Sequence, residues 1–225
     1  VPPGFVTASG TRFLLDGAPF YFQGTNLSRM STTEGGTEDQ LYAAMKDYAA
    51  KGLKVVRFWG FSCSGMMGQG EPMIERIQGT QIVYNETAMR RLDVSLDAAR
   101  AAGLKVILPL VNFEPSYCGM DWWTKQVIGQ TDKQLFYTDG RVKNTFKQHI
   151  ANLLFRVNTR YQSSLGKIVR YRDDPTIMAI EVANEPHTED NYELSRGMIP
   201  GELVYRFLAD MTTYIRSVDP YHLIS

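Results

Sequence analysis

The stretch IMAIEVANEPH, from Ile177 to His187, begins as an apolar run and ends within four residues in Asn, Glu, Pro and His. A short run of Ile, Met, Ala and Val predicts a strand that is buried on both faces, as in a parallel sheet covered by helices. An acid at the end of such a strand is unusual, because a carboxyl group is costly to bury. The stretch therefore predicts a buried strand whose end opens onto a functional site.

Similar apolar runs recur along the chain and alternate with amphipathic segments. A small hairpin is predicted over Phe5 to Gly17, and the strand-like runs after it are Phe20–Asn26, Lys54–Gly60, Lys105–Val111, Ile177–Asn184 and His222–Ser225. Segments with apolar residues at helical spacing lie between these runs, and the first begins with the capping-box pair Thr37 and Gln40. Strand and helix in alternation require parallel pairing with right-handed crossovers. The chain is therefore predicted to be an α/β protein.

Two architectures fit this alternation, an open doubly wound sheet and a (β/α)8 barrel. The open sheet would carry a glycine-rich phosphate-binding turn after its first strand, and the sequence after Asn26 has none. A barrel instead places functional groups at the C-terminal ends of several strands. Such groups stand at or just after the ends of four runs: Asn26, Arg57 with Trp59, Asn112 with Glu114, and Asn184 with Glu185. We therefore expect a TIM barrel, of which this chain carries about the first four β/α units and the start of strand five.

The composition excludes several classes of partner. The 225 residues are 44% hydrophobic and 21% charged, with a formal net charge of zero. Without a block of Lys or Arg, we expect neither a nucleic acid nor a membrane surface as partner, and no apolar run approaches the roughly 20 residues of a membrane span. The sequence has no H-E-x-x-H motif and no Cys/His cluster, so we expect no metal and no other cofactor.

The only two cysteines, Cys63 and Cys118, follow the second and third strands. Loops after adjacent parallel strands emerge on one face and can bring two Cα atoms within the roughly 4.4 to 6.8 Å that a disulfide needs. The alternative is two unrelated free thiols. A disulfide, together with the sequons at Asn26 and Asn85, is typical of a secreted, extracellular protein.

Alternation along the fourth strand places Glu181, Ala183 and Glu185 on one face. If Glu185 faces the barrel axis, Glu181 does so at a deeper level and needs a partner there. Arg57, predicted to lie on a neighbouring strand, is the candidate partner. The pair is either structural or part of the site.

Six stretches of the chain carry a family resemblance. VVRFWGF, LPLVN, GMDWW, FYTDGRVKNTFKQHIANLLFRVNTRY, YRDDPTIMAIEVANEPH and IRSVDPYHLIS together resemble the endo-β-1,4-mannanases of glycoside hydrolase family five, a retaining family of clan A. The resemblance extends over nearly the whole chain, and the combination is more specific than Asn-Glu-Pro alone. The chain departs from the family pattern at Phe113–Cys118, Ile180 and His187.

The resemblance implies that Glu185 is the general acid/base, that Asn184 holds the sugar 2-hydroxyl, and that Arg57 supports the catalytic carboxylates. Retaining hydrolysis requires such a set, because one carboxyl group protonates the leaving oxygen while a second, roughly 5 Å away, attacks the anomeric carbon. The further candidates for substrate binding are Trp59, Asn112, Glu114 and Trp123. For the two tryptophans, packing in the core is the alternative.

The nucleophile of the family is a Glu at the end of the seventh barrel strand, beyond Ser225. We therefore expect residues 1–225 to be the N-terminal portion of a single (β/α)8 catalytic domain, completed by a longer chain or by a second segment. The expected function is endo-hydrolysis of β-1,4-mannosidic bonds in mannan, glucomannan or galactomannan. An endo-β-1,4-glucanase and a non-catalytic sugar-binding barrel are the alternatives.

Overall fold

The structure, a computed structural model, describes residues 1–32, 35–65, 71–189 and 191–225. Its strands are β1 (Val6–Ser9), β2 (Arg12–Leu15), β3 (Ala18–Pro19), β4 (Gly24–Asn26), β5 (Val55–Arg57), β6 (Ile74–Gln78), β7 (Gln81–Tyr84), β8 (Lys105–Pro109), β9 (Ile177–Glu181) and β10 (Leu223–Ile224). Its helices are α1 (Glu38–Ala50), α2 (Glu86–Ala101), α3 (Met120–Ile128), α4 (Leu135–Thr138), α5 (Gly140–Leu154), α6 (Thr159–Leu165) and α7 (Glu202–Val218).

The central sheet has five parallel strands in the order β4-β5-β8-β9-β10. These are the five predicted strands, and each lies beside the next along the chain, as in a barrel. The ladders are shorter than the apolar runs, because the ends of the runs continue as single bonds such as Gly60 N–H to Pro109 O and Leu110 N–H to Glu181 O. The predicted strand order is confirmed.

Four helices cover one face of the sheet with the apolar positions that their spacing predicts. Helix α1 begins at Thr37 with the predicted capping box, in which the Thr37 hydroxyl accepts from Gln40 N–H. The residues that these helices bury in the common core are Leu41 and Met45 of α1, Leu92 and Leu96 of α2, Val142, Phe146 and Ile150 of α5, and Phe207, Met211 and Ile215 of α7. These side chains form one hydrophobic core with the apolar residues of the strands.

Two groups of elements were not predicted from the sequence. Strands β6 and β7 form an antiparallel hairpin whose turn contains Gly79 at φ 62°, although the alternation in IERIQGTQIVY is a recognisable hairpin signal. Helices α3, α4 and α6 are short and lie in the loops after β8 and α5. The loop predicted at Gly65–Met73 falls largely on residues 66–70, which lie outside the described residues.

A buried carboxylate joins α2 to α6 and to the segments after α5. Asp93 is fully buried, and its oxygens accept from Arg156 Nε at 3.0 Å, Arg156 Nη2 at 2.7 Å, Tyr171 Oη at 2.6 Å and Thr159 Oγ1 at 2.7 Å. The Asp93 backbone carbonyl accepts from Asn158 Nδ2 at 3.1 Å. A buried charge persists only when it is bonded on every side in this way. Asp93 therefore fixes how these segments pack.

The predicted disulfide between Cys63 and Cys118 is present, with the Cα atoms 5.4 Å apart. It joins the loop after β5 to the loop after β8. Both half-cystines are buried within the main core, so the bond belongs to the core as well as joining the two loops. Among the described residues, no helix is both long and apolar enough to cross a bilayer.

Candidate active site

The carboxyl end of the sheet gathers polar side chains around one guanidinium group. Arg57, at the end of β5, donates from Nε to Glu181 Oε2 at 2.8 Å and from Nη2 to Glu181 Oε1 at 2.5 Å. It also donates to Asn184 Oδ1 at 2.7 Å and to Asn26 Oδ1 at 3.2 Å. All three nitrogens of the Arg57 guanidinium group therefore have partners, which come from the ends of two other strands, β4 and β9. We call these four residues the Arg57 array.

The ion pair spans a strand rather than joining neighbours. Strand β8 lies between β5 and β9, so the expectation that Arg57 and Glu181 lie on neighbouring strands was wrong. In register, Arg57 pairs with Ile107 and Ile107 with Ala179, two residues before Glu181. Residues paired in register share a face, so both charged side chains point to the same side of the sheet and meet across β8. Barrel interiors are filled in this way, by side chains from alternate strands.

Asn184 lies just beyond β9 and is held by two bonds of its side-chain amide. Its Oδ1 accepts from Arg57, and its Nδ2 donates to Asn112 Oδ1 at 2.8 Å. Asn112 is 1% exposed, and its Nδ2 donates weakly towards the carbonyl groups of Tyr117 and Glu114, at 3.4 and 3.5 Å. The burial places Asn112 behind Asn184, as a residue that orients the amide rather than as a sugar contact.

Glu185 follows Asn184, and its carboxyl group is not bonded to the array. The side chain is exposed, and within the described part of the chain its carboxyl group makes no hydrogen bond and no ion pair. Its φ of 51° lies in the left-handed region, which is uncommon for a residue other than glycine. Strand β9 has already ended at Glu181, so the predicted alternation does not extend to Glu185. The backbone turn, not the pleat, sets the direction of this acid.

The two candidate tryptophans lie in the core. Trp123 is 1% exposed, with ring centroids 5.3 Å from Phe146 and 6.2 Å from Phe136. Trp59 is 6% exposed, stacked on Phe61 at 5.1 Å and tilted against Tyr117 at 5.6 Å. Neither indole has a free face for a sugar ring, so the structure favours the packing alternative for both.

The remaining candidates lie at the surface. Glu114 is exposed in the loop after β8. His187, for which the sequence allows either an exposed loop histidine or a residue that tunes Glu185, lies two residues after Glu185, and its Nδ1 is 2.8 Å from the Glu185 carbonyl oxygen. The i to i+2 spacing was the available signal. Among the described residues, no three His, Cys, Asp or Glu side chains are placed to hold a metal ion.

We predict that Arg57→Lys lowers kcat of the full-length protein about tenfold or more. A lysine presents one point charge and cannot bond to Glu181, Asn184 and Asn26 in the geometry of the guanidinium group. Steady-state kinetics on mannopentaose, a substrate of the class that the family resemblance implies, measure the change. A suitable control is Arg90→Lys on the exposed face of α2, which should leave kcat within twofold of wild type. Unchanged kcat for Arg57→Lys would make the array a packing feature.

Comparison with known proteins connects this geometry to a family. The profile described as "GH family 5 beta-mannosidase-like" matches residues 3–225. Mannan endo-1,4-beta-mannosidase 1 of Oryza sativa subsp. japonica is 34% identical over 98% of this chain and 48% of its own length. Probable mannan endo-1,4-beta-mannosidase C of Aspergillus terreus is 32% identical over 100% of this chain and 55% of its own length.

A solved structure agrees. The endo-1,4-beta-mannanase from Rhizomucor miehei superposes with a TM-score of 0.78 at 30% identity, over 98% of this chain and 59% of that one. These similarities confirm the predicted α/β class and the (β/α)8 barrel, of which this chain forms a part. The chain spans about half the length of the relatives it matches. The match over nearly all of its residues shows that the chain belongs to glycoside hydrolase family 5, in the β-mannosidase-like group.

Proposed function

We propose that the complete protein is an endo-acting, retaining glycoside hydrolase that cleaves β-1,4-mannosidic bonds in mannan, glucomannan or galactomannan. The observation that carries the proposal is the Arg57 array with Glu185 directly after it, at the carboxyl end of the parallel sheet. Active sites of such barrels lie at this end. The names of the relatives support the choice of mannan as substrate.

In this proposal Glu185 works as acid and then as base. It first protonates the glycosidic oxygen while the nucleophile attacks the anomeric carbon, and a covalent glycosyl-enzyme forms. Glu185 then removes a proton from the water that releases the sugar, so two inversions give net retention. The Glu185 side chain is exposed and its carboxyl group has no bonded partner among the described residues, so it is free to contact both the glycosidic oxygen and the water.

Asn184 and Arg57 prepare the sugar site. Arg57 holds the oxygen of the Asn184 amide and Asn112 accepts from its nitrogen. The amide is therefore already oriented, and its remaining N–H and lone pair can bind a substrate without loss of side-chain freedom. We assign this capacity to the sugar 2-hydroxyl. Arg57 holds Glu181 through two hydrogen bonds, and its charge lies beside the site where carboxylates act. The exposed Glu114 is proposed to contact sugars further along the substrate.

The nucleophile and the remaining strands are proposed to come from outside these 225 residues, within the same (β/α)8 domain or on a second segment. We also propose that the protein is secreted. The buried Cys63–Cys118 disulfide supports this, because such bonds persist in oxidising compartments.

The stereochemistry and position of cleavage test the proposal. Proton NMR of mannopentaose treated with the full-length protein should show the β-anomer first, and the early products should include internal cleavage fragments. Cellopentaose should be hydrolysed at least about a hundredfold more slowly, because the 2-hydroxyl of glucose has the opposite configuration and cannot form the same hydrogen bond with the fixed Asn184 amide. An α-anomer formed first, or mannose released only from the chain end, would contradict the mechanism. Equal rates on both substrates would indicate a glucanase.

A further inference from the structure

Backbone groups of the segment after β9 form hydrogen bonds to neighbouring segments. Asn184 N–H donates to Val111 O at 2.7 Å, and Phe113 N–H donates to Asn184 O at 3.2 Å. Further on, Tyr137 Oη donates to His187 O at 2.9 Å. Burial raises the pKa of Tyr137 well above its ordinary value, so the donor keeps its proton. Each side of Glu185 is therefore anchored, while Glu185 itself lies between the anchors.

Between these anchors, one side chain bonds to the backbone of Glu185. His187 Nδ1 is 2.8 Å from the Glu185 carbonyl oxygen, and a carbonyl oxygen only accepts, so Nδ1 carries the proton. The bond closes a turn around Pro186 while Glu185 is at φ 51°. A left-handed conformation costs roughly 1 kcal/mol or more for a residue with a side chain, and it persists where surrounding contacts enforce it.

The imidazole ring of His187 is itself fixed. Its centroid lies 3.7 Å from that of Phe113, whose ring is buried. Lys133 Nζ lies 4.0 Å from the Phe113 centroid, which adds a cation–π contact to the same ring. Although His187 is exposed, its ring therefore has a defined place, and its N–H group points at the Glu185 peptide.

We propose that His187 is a positioning residue for Glu185: its Nδ1–H group holds the backbone turn that directs the acid towards the glycosidic oxygen. The inference rests on the proposed function, in which Glu185 is the general acid. Because the Glu185 carboxyl group has no bonded partner among the described residues, its direction depends on this backbone turn. Displacing a catalytic group by about 1 Å can cost as much as a hundredfold in rate.

Two substitutions in the full-length protein separate the hydrogen bond from the ring contact. His187→Asn places an amide nitrogen where Nδ1 stands, so it keeps the donor and loses the ring. His187→Phe keeps the ring against Phe113 and loses the donor. Each variant is assayed for kcat/KM on mannopentaose and on 2,4-dinitrophenyl β-mannobioside, whose leaving group departs without a proton. Thermal unfolding is measured in parallel.

His187→Phe is expected to lower kcat/KM on mannopentaose about tenfold and on the dinitrophenyl substrate less than twofold, since only the first needs a well-placed acid. His187→Asn should stay within about threefold of wild type on both, and the melting temperatures should agree within a few degrees. Equal losses on both substrates, an active His187→Phe, or an Asn variant as poor as the Phe variant would each overturn the proposal. Glu185→Gln tests the acid/base role of Glu185 separately. A failure of the proposed function can therefore be distinguished from a failure of the positioning role of His187.

Discussion

Replacing Glu185 by Gln in the full-length protein is expected to lower kcat on mannopentaose by about 10²- to 10⁴-fold while oligosaccharide affinity stays within a few fold. The amide keeps the size of the side chain but can neither donate the acidic proton nor remove one from water. The side chain is exposed and makes no bond among the described residues, so the change should leave the fold intact. Steady-state kinetics and calorimetric titration with mannotetraose measure the two effects.

Two further measurements show whether the loss is that of an acid/base residue. Azide should partly restore turnover of dinitrophenyl β-mannobioside by Glu185→Gln, because azide attacks the glycosyl-enzyme without a general base. The matched control is Glu75→Gln, which changes a half-buried carboxylate on β6 paired with Arg76 and should retain wild-type turnover. A Glu185→Gln protein with near-normal kcat would remove Glu185 from the catalytic role.

Asp93→Ala is expected to lower the free energy of unfolding by about 3–5 kcal/mol. The substitution leaves the Arg156 guanidinium without its buried partner, and it removes acceptors from Tyr171 and Thr159 as well. Arg156 retains only the bonds to the more exposed Glu86. Denaturation by guanidinium chloride, monitored by circular dichroism, measures the change.

The control for Asp93 is another aspartate with a single surface partner. Asp47→Ala breaks only the exposed i,i+4 pair with Lys51 and should change the free energy of unfolding by less than about 1 kcal/mol. If both variants unfold alike, the bonds to Asp93 contribute no more than a surface ion pair. The comparison therefore measures how much more a buried, multiply bonded aspartate contributes to the free energy of unfolding than an exposed one.

The sequence predicted the parts of the fold that follow from regular spacing. The alternation of short apolar runs with amphipathic segments predicted the parallel strands, and the 3.6-residue period predicted the buried faces of α1, α2, α5 and α7, because burial enforces these patterns over many residues. The disulfide was also predictable, since topology alone brings the two loops together. Helix α3 and the β6–β7 hairpin were not predicted, because short elements within long loops carry few periodic positions.

The site was predicted in its residues more than in its geometry. Arg57, Asn184 and Glu185 were identified through the family resemblance. The contact of Arg57 with Glu181 across β8 was not foreseen, because sequence shows which residues share a face but not how far long side chains reach over a neighbouring strand. The burial of Trp123 and Asn112 could not be predicted from the sequence either, because it depends on the paths of the loops after β8.

The bonds of Arg57 have a mechanical consequence. Its side chain connects the ends of β4, β5 and β9, and β8 lies between the last two. Strands two positions apart in a sheet lie roughly 10 Å from each other, and the long Arg57 side chain spans this distance to reach Glu181 and Asn184 across β8. The position of the Asn184 amide therefore depends on the spacing of β5 and β9. Any substitution that alters the spacing of β5 and β9 would therefore displace the Asn184 amide, even from a position far from the substrate.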